Sequence, residues 1–315
     1  MIMKRRELLG TMSIMGVGVL LSGFLEPLFG FLQTGTRPVL SETRAAMGTL
    51  LQISLVGERG SFSTDTKKLL DFAFAEAGRL EALLTRHTQG SPLYRLNVVG
   101  HLAAPPAELR HVLAGALQYC RESWGFFDPA VLSGSFPSRN SIRLGDAHIS
   151  LGRGGIELTL DGIAKGFIVD RLSQLLRANG ANNHLINAGG DIIARGVGPT
   201  GSGWKIGVQD PEHQGRLLSS FFLRDGAVAT SGNYESVANR GKNHIFRPGT
   251  DKSADGMLSV SVFASTAMEA DAMSTALFAM PVETLNDYIV QKKDASGLIV
   301  HKNGLYEQFG TPPIS

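Results

Sequence analysis

Two polar side chains, Asp271 and Thr275, stand four residues apart in the largely apolar stretch FASTAMEADAMSTALFAM at 263–280. Residues at i and i+4 share one face of a helix, so a carboxylate and a hydroxyl would project together toward whatever that face covers. Two oxygen donors of this kind suit a hard divalent cation. The same pair also reads as a first-turn charge and a hydroxyl bonded back to its own helix, and the helix alone does not choose between them. A second candidate is Asp161-Gly-Ile-Ala-Lys-Gly-Phe, a glycine-bearing turn opening a helix that runs to about Ala178. Its first turn would present backbone N–H groups beside Lys165, which suits an anion such as a phosphate.

The elements that must position these groups follow from periodicity. Residues 44–56 read as a strand opened by the turn Met47-Gly48-Thr49, with Leu51, Ile53 and Leu55 alternating. An amphipathic helix begins at Asp65 and carries Leu69, Phe72, Ala73, Ala77, Leu80, Leu83 and Leu84; a polar loop follows over 85–97. A second helix spans 106–124, with Leu109, Val112, Leu113, Ala116, Leu117 and Cys120 on one side. Short strands are expected at RLGDAHISL, GGIELTL, 184–188, 191–196, 204–209, 218–223, 227–230 and 258–264. A helix at 282–292 and strands at 297–301 and 305–309 complete the chain. So many closely spaced strands imply a large, mainly antiparallel sheet, and the helices grouped around it make the class α+β.

The 315 residues are 43% hydrophobic and 18% charged, which describes a globular chain rather than a disordered one. A net charge of +2 without a basic run gives no field for nucleic acid. Cys120, the only cysteine, excludes an internal disulfide and sits at a position expected to be buried. At the N-terminus, Lys4-Arg5-Arg6-Glu7-Leu8-Leu9 precedes an apolar stretch at 12–25. That pattern reads as a twin-arginine export signal. Glu26-Pro27 interrupts it short of a spanning helix, so cleavable signal and membrane anchor both stay open. Residues 1–36 are taken as this segment and 37–315 as one catalytic domain, placed in the periplasm or on the outer face of the cytoplasmic membrane.

Eight motifs then occur in order: MGT at 47–49, HTQGSPLYRLN at 87–97, FFDPAV at 126–131, LDGIAKGFIVDR at 160–171, INAGGDI at 186–192, SGNYE at 231–235, HI at 244–245 and ADAMSTALF at 270–278. Together they resemble the ApbE family of flavin transferases over roughly residues 43–310. The resemblance implies an enzyme that takes FAD with Mg²⁺ or another divalent cation and transfers the FMN half to a Ser or Thr hydroxyl of an acceptor protein, releasing AMP. Acceptors of this family carry a short hydroxyl-ending motif and belong to exported or membrane electron-transfer complexes. Some relatives hydrolyse FAD to FMN and AMP instead, and a flavin-binding protein without catalysis is a third reading.

By the same resemblance, Asp271, the Thr275 hydroxyl and the Gly162 carbonyl would hold the metal. His244 is the preferred general base, since imidazole titrates near neutral pH, and Asp161 is its rival. Met47, His87, Phe126, Phe127, Asp128, Thr159, Lys165 and Ile245 match positions that contact FAD, and Asn233 and Tyr234 would edge the pocket. The other histidines match no site motif. The chain departs from the family pattern at His87, where Tyr or Trp is usual; at Gln89, Gly90 and Pro92; at Thr159, where Asp is frequent; and at Arg247, which replaces an acidic residue.

Overall fold

The computed structural model describes residues 17–19, 37–57, 62, 64–133, 141–152, 155–213, 215–232, 245–250, 252–292 and 295–311. His244, Asn233, Tyr234 and most of the expected export segment lie outside the described residues. In chain order the strands are β1 (Val17–Val19), β2 (Val39–Ala46), β3 (Thr49–Val56), β4 (His101–Ala103), β5 (Ile142–Leu144), β6 (His148–Leu151) and β7 (His184–Ala188). They continue with β8 (Asp191–Arg195), β9 (Trp204–Gln209), β10 (Leu217–Leu223), β11 (Gly226–Gly232), β12 (Met257–Ala264), β13 (Ser296–His301) and β14 (Tyr306–Phe309). The helices are α1 (Thr64–Leu84), α2 (Pro92–Val99), α3 (Ala107–Glu122), α4 (Ala164–Ala178), α5 (Ala267–Ala279) and α6 (Val282–Gln291).

An eight-stranded sheet runs in the order β14-β13-β12-β11-β8-β7-β3-β2, and every neighbouring pair is antiparallel. The α+β expectation is therefore met. Both faces of the sheet are covered, and the period of two assigns residues to each. Leu51, Ile53, Ile186, Ile193, Ala227 and Ala229 join the main core with α1, α3, α4 and α5. Leu185, Ile192, Ala194 and Val228 turn the other way, onto Trp204, Ile206, Val208, Phe221 and Leu223 of β9 and β10. Those two strands form a small second sheet with β1, while β4, β6 and β5 form a third.

Three expectations are corrected. Residues 44–46 do not belong to the strand expected over 44–56: they end β2, and the chain reverses at Met47–Gly48, both with positive φ, before β3 begins at Thr49. The polar stretch 85–97 is not all loop: Ser91 caps α2 by accepting from the Tyr94 N–H at 3.1 Å, with Pro92 in the first turn. Ser-Pro ahead of Leu93 and Leu96, three residues apart, is a helix start, since proline loses no intrahelical bond there. The stretch 156–160 is not a strand. Ile156, Leu158 and Leu160 are buried at alternate positions as a strand would have them. The backbone, however, is bonded by side chains and a loop: Asn97 both donates to the Leu158 carbonyl and accepts its N–H at 2.9 Å, and the Glu157 N–H meets Ser133 Oγ at 3.0 Å. Cys120 is buried, as expected.

His184, fully buried in β7, lies 2.7 Å through Nδ1 from the Ala181 carbonyl and 2.8 Å through Nε2 from Ser173 Oγ. The carbonyl can only accept, so Nδ1 carries the proton and Nε2 takes the Ser173 hydroxyl, a complete arrangement for the neutral ring. Burial pushes the His184 pKa down from 6.5 to about 4. The unfolded chain gains this proton near pH 6.5 and the folded chain not until pH falls to about 4. His184 therefore favours folding fully above the upper value, and its contribution is lost as pH falls toward the lower one. About 3 kcal/mol is expected to disappear across that window. Urea denaturation at a series of pH values checks this: His184→Gln should flatten the acid limb, and an unchanged limb would remove His184 as its source.

Candidate active site

A cavity of about 630 Å³ opens between the sheet and the helices. It is lined by all twelve expected site residues that the structure describes: Met47, His87, Phe126, Phe127, Asp128, Thr159, Asp161, Gly162, Lys165, Ile245, Asp271 and Thr275. They come from elements distant in sequence, so the fold does the gathering.

Met47 and Gly48 form the two-residue turn between β2 and β3, closed by the Ala46–Thr49 pair. Both have positive φ, 54° and 70°, as a primed hairpin turn requires. Methionine in that conformation is strained, and it is held there by its N–H donating to Glu81 Oε2 of α1 at 2.9 Å. Phe126, Phe127 and Asp128 follow the end of α3, where the Phe127 N–H bonds Ser123 Oγ at 2.8 Å and Asp128 accepts from the Ala130 N–H at 2.8 Å. Asp161 is exposed and lies 3.5 Å from Arg86 Nε, which also pairs with Glu157. A carboxylate held in solvent by a guanidinium is a weak candidate for a base. His87 lies in the loop between α1 and α2.

At the centre is α5, buried on nearly every side, with Asp271 only 2% exposed. Small residues around Asp271 and Thr275 let this helix approach both the sheet and α4. The Thr266 side chain caps its start, and Asp170 of α4 accepts the Ala267 and Met268 N–H groups at 2.8 and 2.9 Å. Asp271 Oδ2 accepts the Gly166 N–H at 3.0 Å. The first turn of α4, expected from sequence to be free for an anion, thus already serves Asp271 with one donor. Burial raises the Asp271 pKa, while Lys165 and the Gly166 N–H oppose the rise. Thr275 Oγ1 lies 3.3 Å from Ser231 Oγ, which also meets Ser274 Oγ at 2.9 Å. Gly162 packs against Thr275 so closely that a β-carbon there would stand 2.7 Å from Oγ1, so only glycine brings this backbone beside the hydroxyl.

Lys165 does not simply point at a ligand. Its Nζ donates to Asp191 Oδ2 at 2.6 Å and lies 3.7 Å from Asp271 Oδ1. Asp191 is as buried as Asp271 and opens β8 directly after the Gly189–Gly190 turn. Asp191 belongs to no predicted site although it stands in INAGGDI at 186–192; its signal in the sequence is a carboxylate directly behind two glycines.

The donor set fits a divalent cation of the oxygen-preferring kind. Among the described residues no three His, Cys, Asp or Glu side chains cluster, so a cation here would have one carboxylate, a hydroxyl and a backbone carbonyl. Mg²⁺ is held in this way, by one or two carboxylates with the substrate's phosphate oxygens completing the shell. The buried Asp271 carboxylate, disfavoured in its charged form, is the group such an ion would relieve.

Fold and cavity together define an α+β protein with one large mixed apolar and polar pocket built around a buried carboxylate. The chain belongs to the ApbE family, whose model matches residues 47–299. It is 28% identical over 290 residues to the FAD:protein FMN transferase of Treponema pallidum (strain Nichols), covering 77% of this chain and 79% of that one. It is 24% identical over 297 residues to the enzyme of the same name from Salmonella typhimurium, covering 82% and 83%. Among solved structures, an ApbE protein from Thermotoga maritima superposes with a TM-score of 0.76 at 23% identity, covering 86% of this chain and 97% of that one. The flavin transferase ApbE from Vibrio cholerae gives 0.74 at 20% identity, with 87% and 97% covered. At these identities the two structures establish the fold alone.

Proposed function

We propose that this chain is an FAD:protein FMN transferase. It moves the FMN half of FAD onto a Ser or Thr hydroxyl of an exported or membrane-bound redox protein and releases AMP. The observation that carries the reading is the meeting of Asp271, Thr275 and Gly162 in one cavity with Met47, His87, Phe126, Phe127 and Ile245. Oxygen donors for a hard cation and flat apolar surfaces are the two requirements of a flavin dinucleotide cleaved at its diphosphate. Membership of a family whose named relatives are flavin transferases supports the same assignment.

Asp271 provides one carboxylate oxygen, the Thr275 hydroxyl and the Gly162 carbonyl provide two neutral ones, and the Gly166 N–H fixes the other Asp271 oxygen. A divalent cation held by these three donors would supply neutralisation of charge on the diphosphate oxygens. Phe126, Phe127 and Met47 exclude water around the flavin, which favours a protein hydroxyl over hydrolysis. His244 accepts the proton from the attacking hydroxyl through an imidazole nitrogen. AMP departs with the bridging oxygen.

Export fits the same picture, resting on Lys4-Arg5-Arg6 ahead of the apolar stretch at 12–25. Among the described residues no helix is long and apolar enough to cross a membrane. Chromatography of the nucleotides formed from FAD tests the metal requirement. With an acceptor domain present, AMP should be released with Mg²⁺, stop with a chelator and return when Mg²⁺ is restored; release indifferent to chelation would contradict the proposed site.

A further inference from the structure

The cation of Lys165 stands between two buried carboxylates, and the distances are unequal: 2.6 Å to Asp191 and 3.7 Å to Asp271. Asp191 belongs to β8, the second strand of a hairpin whose turn, Gly189–Gly190, is fixed by the Gly190 N–H bonding Asn187 Oδ1 at 2.9 Å. Asp271 belongs to α5. One lysine is thus shared between a rigid sheet position and the helix that carries the cation ligands. An ammonium and a divalent cation cannot both sit against the same carboxylate oxygen: they repel, and each would occupy the space of the other.

We infer that Asp191 is a positioning residue, the counter-ion that holds Lys165 on the sheet side and so leaves Asp271 available to the metal. The inference rests on the metal reading of Asp271, Thr275 and Gly162 given above. With Asp191 removed, Asp271, whose Oδ1 already lies 3.7 Å from the partly buried ammonium, would draw Lys165 across the remaining distance. Burial makes that closure strong, because a buried charge pair is far less screened than a surface one. Lys165 would then compete directly with the cation. The role differs from simple stabilisation, since the harm done by losing Asp191 is delivered by Lys165 and vanishes when Lys165 is also lost.

The test follows the thermal midpoint of the full chain against MgCl₂ at constant ionic strength, without FAD, so that binding is read rather than turnover. Wild type should show a saturable rise. In Asp191→Asn the half-saturating Mg²⁺ concentration should increase about tenfold, and in the double variant Asp191→Asn/Lys165→Met it should return to within about threefold of wild type. An Asp191→Asn curve coinciding with wild type overturns the inference. So does a weakened curve that the second substitution fails to restore, because that is what loss of mere structural support would give. No saturable rise in wild type would instead overturn the metal reading, and the inference with it.

Discussion

Asp271→Asn is expected to lower FAD cleavage by about a thousandfold, the scale of roughly 4 kcal/mol of charge stabilisation withdrawn from the diphosphate. The substitution keeps the shape and an oxygen able to accept the Gly166 N–H. It removes the one carboxylate among the three donors assigned to the cation. The fold should tolerate this, because Lys165 keeps its short bond to Asp191. A carboxylate whose burial raises its pKa is replaced by a neutral amide, so folding loses little. The check is steady-state AMP release in the presence of an acceptor domain, beside a urea melt of the same variant. A variant with near-normal metal-dependent release would sink the assignment of Asp271, and a variant that unfolds would show that its role is structural.

The second large effect is on folding. Gly166→Ala should cost about 4 kcal/mol or more, above the usual 1–3 kcal/mol for an overpacked core, because the obstruction is backbone. A β-carbon at Gly166 would stand 2.6 Å from the carbonyl carbon of Ala267 and 2.7 Å from Cα of Met268, at the crossing of α4 and α5. No rotamer change relieves contact with main chain. Separating the helices would also strain the bonds from Ala267 and Met268 to Asp170 and from Gly166 to Asp271, so that α5 would no longer hold its height against α4. Gly78 in α1 is the control, since nothing lies within 4 Å of its added β-carbon. Gly78→Ala should stabilise by about 0.5–1 kcal/mol through helix propensity. Denaturant titration of both variants reads the contrast, and equal stabilities would show that α4 and α5 are not locked at Gly166.

The polar pair on α5 was legible because a mainly apolar run frames it: Asp271 and Thr275 stand four residues apart in a helix whose only other polar residues are Glu269 and Ser274. Seven of the eight strands of the main sheet were legible because each short run carries its own period; β2, at Val39–Ala46, was not, since Glu42, Thr43 and Arg44 break up its apolar pattern. What could not be read was partnership. The alternating Ile156, Leu158 and Leu160 looked like a strand, but whether a neighbouring strand or the Asn97 amide completes that backbone depends on how α2 packs 61 residues away. Lys165 read as a group facing a ligand because its chain neighbours are glycine-rich. Its actual partner lies 26 residues on, behind a turn whose conformation decides where Asp191 points. In the same way α2 was hidden because Ser91-Pro92 lies inside a stretch whose composition is otherwise that of a loop.

Those residues converge on one claim, that this cavity uses a divalent cation to deliver FMN to a protein hydroxyl. The most direct measurement is the intact mass of a candidate acceptor domain carrying a Ser or Thr flavinylation motif, incubated with the full chain, FAD and Mg²⁺, with released nucleotides counted alongside. The account predicts that the acceptor gains the mass of one FMN, with AMP released in equal amount, and that neither occurs when the motif hydroxyl is replaced by alanine. FMN and AMP both free in solution, with the acceptor mass unchanged, would contradict transfer and make the chain a hydrolase of FAD; intact FAD under every condition would contradict catalysis altogether.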